Sequence, residues 1–148
     1  MNVLCNNKKA SFKYTFIKKI EAGLALSGWE VKSLKDGNGQ ISESYISIKK
    51  NEIYLCNAHI KAVNLKDGIS SQKPTDNRKL LLNRKEINML QGQVSQNGLT
   101  IVPIKLYSKK GIIKLEIALA KGKKLYDKRQ DQKNKDWKRH KDRLNKIN

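Results

Sequence analysis

The 148-residue sequence has few cysteines and prolines, and it lacks long apolar runs. Its two cysteines, Cys5 and Cys56, are too few for the disulfide framework of a small secreted protein. No apolar run approaches the roughly 18 residues that a membrane-spanning helix requires, and the first ten residues, MNVLCNNKKA, lack the order of a signal peptide. We therefore expect a cytoplasmic protein that does not bind a membrane.

Acidic residues are also scarce, since 13 Asp and Glu stand against 32 Lys and Arg, and the formal net charge is +19. A surface with this excess attracts polyanions, and nucleic acid releases counterions when Lys and Arg neutralise its phosphates. A Lys-rich genome bias could give any surface the same composition. Because the excess is concentrated in one terminal segment, we favour nucleic acid over that alternative.

The most basic segment is residues 121–148, which holds 12 basic and four acidic residues. Between Tyr126 and Leu144 its only large apolar side chain is Trp137. Such a segment cannot bury enough apolar surface to repay the entropy of ordering it. Asp127 stands three residues before Gln130, the spacing of a helix cap. We predict a basic tail that is disordered alone and becomes helical against a polyanion.

The preceding residues have the patterns of one domain, residues 7–120, behind a flexible N-terminus at residues 1–6. Apolar and polar residues alternate in several segments, which predicts short strands, and Pro103 predicts a bulge or an edge. Residues 64–77 predict the longest loop. The predicted strands are Phe12–Ile20 with an extension to Leu26, the hairpin Ser44–Ile48 and Glu52–Ala58, and the pair Leu99–Tyr107 and Ile112–Ala120.

Two capping boxes predict helices. Ser27 stands three residues before Glu30 and predicts a helix over about residues 28–35. Asn83 has the same spacing to Glu86 and predicts three turns that end near Gly98. Five or six strands with two helices favour a mainly β, α+β fold: a small antiparallel barrel, an architecture that commonly binds nucleic acid.

The residues give no pattern for catalysis or a cofactor. Cys56 and His59 are three residues apart but lack the further ligands of a zinc site. The acidic residues are scattered, whereas a metal-dependent nuclease needs them clustered. We expect no catalytic residue, no metal and no cofactor. An RNA-processing enzyme and a constitutive ribosomal protein remain as alternatives to an RNA-binding adaptor.

Seven blocks of the sequence, in the same order, resemble the SsrA-binding protein, or small protein B, family of bacterial trans-translation factors. The blocks are Asn7-Lys8-Lys9-Ala10, Glu21-Ala22-Gly23, Gly28 with Glu30-Val31-Lys32-Ser33-Leu34, Asn57-Ala58-His59-Ile60, Arg78-Lys79-Leu80-Leu81-Leu82, Gly98-Leu99-Thr100-Ile101-Val102-Pro103, and Lys121-Gly122-Lys123-Lys124 with Asp127-Lys128-Arg129.

The resemblance implies an oligonucleotide-binding-type antiparallel β-barrel with flanking helices and a basic C-terminal tail. It implies a monomer that binds the tRNA-like domain of transfer-messenger RNA and accompanies that RNA to a stalled ribosome. There the tail would enter the vacant decoding site and mRNA channel. These expectations agree with the tail composition.

The resemblance and the basic charge together suggest two sets of site residues. For Glu30 a role in the capping box stands beside RNA contact, and lysines would position phosphates without choosing a sequence. The expected RNA-binding residues are Asn7, Lys8, Lys9, Glu30, Lys32, Lys35, Arg78 and Lys79. The expected ribosome-contacting residues are Lys123, Lys124, Tyr126, Asp127, Lys128, Arg129 and Trp137, of which Trp137 could stack on a base.

Overall fold

The computed structural model of the chain describes residues 2–62 and 73–123. The predictions for the tail beyond residue 123, and for most of the loop over residues 64–77, lie outside the described residues. The elements in chain order are β1 (Asn2–Asn6), α1 (Lys8–Lys13), β2 (Tyr14–Leu24), α2 (Gly28–Lys35), β3 (Gly39–Gln40), β4 (Tyr45–Lys49), β5 (Glu52–Cys56), β6 (His59–Ile60), β7 (Arg78–Leu81), α3 (Arg84–Asn97), β8 (Thr100–Lys109) and β9 (Ile112–Gly122).

Seven strands form one antiparallel sheet in the order β1-β8-β9-β2-β7-β5-β4, and β3 pairs with β6 separately. Strand β4, at one edge, also contacts β8, so the sheet curls round a common core. No backbone ladder joins β4 to β8 in the described part of the chain. The predicted mainly antiparallel β fold with short helices is confirmed. Among the described residues, the strands form a curled sheet that backbone hydrogen bonds do not close into a complete barrel.

The core forms from alternate residues of the long strands. On β9 the side chains of Leu115 and Ile117 are fully buried, whereas their neighbours Lys114 and Glu116 are only half-buried. Leu90 of α3 is also fully buried in the core. Burying an aliphatic side chain of this size contributes about 1.5–3 kcal/mol. This inward packing assigns the residues between the core positions to the opposite side of the sheet.

Both predicted helices are confirmed within a residue of their expected bounds. The Glu30 carboxylate accepts a hydrogen bond from the Ser27 amide at 2.8 Å, as the capping box at α2 requires. At α3 the Asn83 side chain accepts from the Glu86 amide at 2.8 Å. Gly98 ends α3 with φ +64°, a left-handed conformation that glycine adopts without strain.

The prediction of a flexible N-terminus over residues 1–6 is wrong, because Asn2–Asn6 form the edge strand β1. This strand pairs with β8, whose backbone would otherwise present unpaired donors and acceptors, and it buries Cys5. Residues Lys8–Lys13 form a short helix, so β2 begins at Tyr14 rather than Phe12. The buried contact of Ala10 with strands β8 and β9 accounts for this helix.

The hairpin of β4 and β5 and the pair of β8 and β9 are confirmed, and the β8 register shifts between Pro103 and Lys105, where a bulge was predicted. The predicted boundary between the domain and the tail at residue 121 is displaced. Lys121 and Gly122 pair with β2, and the Lys123 amide donates to the Lys13 carbonyl at 3.0 Å.

A buried ion pair joins α2 to β7. Arg78 Nε donates to Glu30 Oε2, and the two side chains are 2% and 8% exposed. The Arg78 guanidinium also donates to the carbonyl of Ala58 at 2.6 Å and to that of Pro74 at 2.9 Å. One arginine therefore connects a helix, a strand and two connecting segments. A charge buried in this way is tolerated because the guanidinium is paired with a carboxylate and with two backbone carbonyls.

We predict that Arg78→Met lowers the free energy of unfolding by about 3–5 kcal/mol, because it leaves the Glu30 carboxylate buried without a counter-charge. Urea unfolding measures the change. Glu30→Gln/Arg78→Met should recover part of the loss, since it removes both charges and keeps an acceptor for the Ser27 amide.

Lys79→Met is the matched control, because Lys79 forms an exposed pair with Glu52 at 3.7 Å that contributes less than about 1 kcal/mol. Equal stability of Arg78→Met and the unsubstituted chain would contradict the structural role of the pair.

Candidate nucleic-acid interface

The side of the sheet away from the core carries a cluster of charged residues around one tyrosine. Directly opposed residues of antiparallel strands share a face, and the registers bring Glu21, Glu116 and Lys105 side by side. The next row contains Gly23, Lys114 and Tyr107. We call this side of the sheet the outer face and define it by Lys19, Glu21, Lys79, Leu81, Lys105, Tyr107, Lys109, Lys114 and Glu116. The tyrosine is only 3% exposed and lies beneath the charged side chains.

A hydrogen bond between Tyr107 and Glu21 lies at the centre of the outer face. The Tyr107 hydroxyl donates to Glu21 Oε2, and Lys109 Nζ lies 3.7 Å from the same oxygen. The Tyr107 hydrogen bond, with the charges of Lys109 and Lys114, lowers the pKa of Glu21. Burial and the adjacent Glu21 raise the pKa of Tyr107. The hydroxyl therefore stays protonated and the carboxylate stays ionised.

Lysines surround this centre and outnumber its two carboxylates. Glu116 Oε1 and Oε2 each lie 4.0 Å from a lysine Nζ, of Lys19 and Lys105 respectively. Lys105 Nζ also lies 5.7 Å from the centre of the Tyr107 ring, within the range of a cation–π contact. The two carboxylates hold the lysines in place, and the positive excess remains available to an anion such as a phosphate.

An apolar side chain adjoins the charged rows. Leu81 on β7 is 55% exposed and lies opposite Gly23 on β2. A Cβ atom at position 23 would lie 3.2 Å from Leu81 Cβ, which is closer than an ordinary van der Waals contact. Glycine at this position avoids that contact. Lys79, two residues earlier on β7, faces the same way and is exposed. Exposed leucine beside lysines can pack against a base while the lysines contact its backbone.

Helix α1 covers the continuation of the same side of the sheet. Ala10 packs against Val102, Ala118 and Ala120, small residues that leave room for the helix. Lys8 and Lys9 are exposed on α1. The structure thus brings the predicted residues Lys8, Lys9 and Lys79 to one side of the sheet, together with the lysines of the outer face.

Asn7, a further predicted contact, is 9% exposed and lies just before α1. Its Nδ2 donates to the Pro103 carbonyl at 2.9 Å, and its backbone amide donates to the Ile104 carbonyl at 2.8 Å. Its Oδ1 is buried and has no hydrogen-bond partner among the described residues. Asn7 therefore anchors α1 at the β8 bulge and keeps one acceptor unused.

The predicted lysines of α2 lie at another edge. Lys32 and Lys35 are exposed, and Lys35 Nζ donates to the Gly111 carbonyl in the turn between β8 and β9 at 3.3 Å. Glu30 and Arg78 have little exposed surface, since both are occupied by the buried ion pair. Their contact with RNA stays a prediction. Of the predicted tail residues, only Lys123 lies within the described part of the chain.

Sequence reasoning did not select Glu21, Tyr107, Lys109 or Lys114 as site residues. Glu21 and Tyr107 are 86 residues apart, and only the registers of β2, β9 and β8 bring them together. The available signal was the alternation of polar and apolar residues on these strands, which separates the two sides of a sheet but does not pair the strands.

The described residues carry no metal-binding cluster of three or more His, Cys, Asp or Glu side chains. No helix within the same residues is both long and apolar enough to cross a bilayer. The outer face offers lysine cations that can contact phosphates, and the exposed Leu81 side chain that can pack against a base.

Comparison with known proteins gives consistent matches along the chain. A family model described as "SmpB protein" matches residues 4–147. The chain is 51% identical to an SsrA-binding protein of Ruthia magnifica subsp. Calyptogena magnifica, over 97% of this chain and 87% of the relative. It is 48% identical to an SsrA-binding protein of Agrobacterium fabrum, over 99% and 91%.

A chain from a solved structure described as "tmRNA-SmpB: a journey to the center of the bacterial ribosome" is also similar. It matches with a TM-score of 0.65 and 39% sequence identity. The match covers 84% of this chain and 87% of the solved chain, so the likeness includes sequence as well as fold.

We predict that Tyr107→Phe raises the pKa of Glu21 toward its ordinary value of 4.5, because the hydrogen bond that favours the carboxylate is lost. Carbon-13 NMR titration of the glutamate carboxyls measures the change. Since the folded-state pKa lies below the unfolded value, this bond stabilises the fold above the unfolded pKa. That contribution is lost as the pH falls through the folded-state pKa.

Tyr54→Phe is the matched control, because it removes a hydroxyl from β5 and should leave the Glu21 titration unchanged. An unchanged pKa of Glu21 in Tyr107→Phe would contradict the assigned hydrogen bond.

Proposed function

The chain belongs to the SmpB protein family, and from this membership we propose that it is an RNA-binding adaptor of trans-translation. It binds the tRNA-like domain of transfer-messenger RNA and delivers that RNA to stalled ribosomes. The match of the SmpB model to residues 4–147 carries the proposal, because it spans the domain and the basic tail together.

The partners follow from the relatives. The relatives from Ruthia and Agrobacterium are named for binding SsrA, and the similar solved chain is described with tmRNA, SmpB and the bacterial ribosome. The net charge of +19 suits a protein whose two partners, an RNA and the ribosome, both present RNA phosphates. The proposed role also supports cytoplasmic localisation, since a protein with this role acts where ribosomes translate.

The outer face and α1 are the proposed contact with the tRNA-like domain. Exposed lysines there neutralise phosphates, and the exposed Leu81 supplies aliphatic surface beside them. The proposed phosphate contacts from the predicted set are Lys8, Lys9 and Lys79 on this surface, and Lys32 and Lys35 at the separate edge formed by α2. Lys105, Lys109 and Lys114 are added because they lie on the outer face.

Asn7, Glu30 and Arg78 have a different proposed part in RNA binding. Their polar groups are mostly engaged within the protein, so their main contribution is to hold α1, α2 and β7 where neighbouring lysines meet RNA. These three residues would support RNA binding indirectly, by positioning the neighbouring lysines. Their loss would weaken binding because it disturbs the fold.

We propose that the tail enters the vacant decoding site and mRNA channel of the stalled ribosome. Its contacts are Lys123, Lys124, Tyr126, Asp127, Lys128, Arg129 and Trp137. The support is its composition: 12 basic residues suit a channel of RNA, and the self-repulsion of these charges falls when phosphates neutralise them. Trp137 offers one ring for stacking on a base.

We further propose that the protein is not an enzyme, because the adaptor role requires only binding and positioning. Turnover of RNA in the presence of a divalent metal would favour a processing enzyme instead. Cosedimentation with all ribosomes, stalled or not, would favour a constitutive ribosomal protein.

We predict that Lys109→Gln and Lys114→Gln each weaken binding of the tRNA-like domain and reduce the salt dependence. Each phosphate contact that is lost lowers the slope of log K against log salt concentration by about 0.7–0.9. Gel-shift titrations at several salt concentrations measure both effects, with bulk tRNA as competitor.

Lys85→Gln is the matched control, because Lys85 is exposed on α3 and not on the outer face. The same slope in Lys109→Gln, Lys114→Gln and Lys85→Gln would argue against the outer face as the RNA contact.

Deletion of residues 124–148 should spare binding of the tRNA-like domain and abolish peptide tagging on stalled ribosomes. The deletion begins after Lys123 because Lys121 and Gly122 pair with Thr15 and Tyr14 in the sheet. Fluorescence anisotropy measures RNA binding, and a tagging assay on an mRNA without a stop codon measures function. Equal tagging by the truncated and full chains would refute the role of the tail.

A further inference from the structure

A cavity of about 230 Å³ lies between α1, the residues that lead into β4, and the first residues of β8. It is smaller than the roughly 300–1,000 Å³ of most small-molecule sites, so it suits one planar ring system rather than a large ligand. Its lining includes Asn7, Lys9, Lys13, Tyr14, Glu43 and Tyr45.

One buried polar atom in this lining lacks a partner. Asn7 Nδ2 already donates to the Pro103 carbonyl, which assigns the amide orientation and leaves Oδ1 as an acceptor without a partner among the described residues. Buried acceptors are nearly always satisfied, and an exception calls for a ligand or a water. A donor N–H or O–H that entered from the cavity through a small shift of the lining side chains would satisfy Asn7 Oδ1.

Two lysines give the cavity a positive rim. Lys9 and Lys13 are four residues apart on α1 and therefore lie on one face of that helix. Lys9 Nζ lies 3.3 Å from Glu43 Oε1, an exposed pair that joins α1 to the segment before β4 across the cavity. Both lysines can contact a negatively charged group at the entrance.

The cavity also has aromatic walls. Tyr14 is half-buried, whereas Tyr45 on β4 is 57% exposed, which is unusual for an aromatic residue on a strand. An exposed tyrosine beside a positive rim is the arrangement by which proteins stack an unpaired base and hold its phosphate.

We propose that this cavity receives one unstacked nucleotide of the bound RNA. Tyr45 stacks on the base, Asn7 Oδ1 accepts a hydrogen bond from the base or ribose, and Lys9 and Lys13 contact the adjoining phosphates. The proposal rests on the proposed function, since it takes the tRNA-like domain as the RNA. It adds a shape-dependent contact to a surface that otherwise recognises charge.

An abasic scan tests the proposal with the full chain. Each unpaired nucleotide of the tRNA-like domain is replaced in turn by an abasic one, and affinities are measured for the unsubstituted chain, Tyr45→Leu and Tyr45→Phe. One abasic position should weaken binding to the unsubstituted chain by about tenfold or more, as expected for the loss of base stacking. The same position should cause no further loss in Tyr45→Leu.

Tyr45→Phe keeps the ring and should respond to the abasic position as the unsubstituted chain does. Val3→Ala removes exposed apolar surface from β1, outside the cavity. Each abasic position should weaken the binding of this variant as much as it weakens the binding of the unsubstituted chain. Circular dichroism verifies that each variant is folded.

Additive losses of affinity at every abasic position in Tyr45→Leu would overturn the cavity assignment and leave the proposed function intact. Absence of selective RNA binding by the unsubstituted chain would instead overturn the proposed function and the assignment with it.

Discussion

The buried ion pair of Glu30 and Arg78 is the interaction on which the arrangement of this domain depends. The carboxylate holds the start of α2 through the Ser27 amide, and the guanidinium holds the carbonyls of Ala58 and Pro74. A charge at this depth is stable only while its partners stay in place, so the pair couples α2 to β7 and to the segments at Ala58 and Pro74. A single arginine thus holds α2 and the segments at Ala58 and Pro74 in place relative to β7.

The sheet supported by this pair uses its outer side in two ways. Near Ala118 and Ala120 small residues admit α1, whereas further along β9 the larger Lys114 and Glu116 remain at the surface. Lysines of the outer face supply affinity for any phosphate backbone, and this kind of contact does not distinguish one RNA from another. Discrimination must therefore come from shape, through the curvature of the face, the helix beside it and the cavity beneath that helix.

Local rules predicted the elements whose stabilising contacts are themselves local. The caps of α2 and α3, the left-handed Gly98 and the β4–β5 hairpin were confirmed because each depends on residues a few positions apart. The N-terminus was misjudged for the opposite reason. Strand β1 forms because β8, about 100 residues later, offers an open edge, and α1 forms because Ala10 finds a place on the same sheet.

The sequence by itself determined the charge, the strand and helix periods, and the family to which the chain belongs, because these properties reside in composition and in the order of residues. The tertiary structure alone decided which charges are exposed. It buried Glu30 and Arg78, which the sequence presented as contacts for RNA, and it brought Tyr107 to Glu21. Burial and pairing depend on strand register between distant segments, and register is a property of the whole sheet rather than of any one segment.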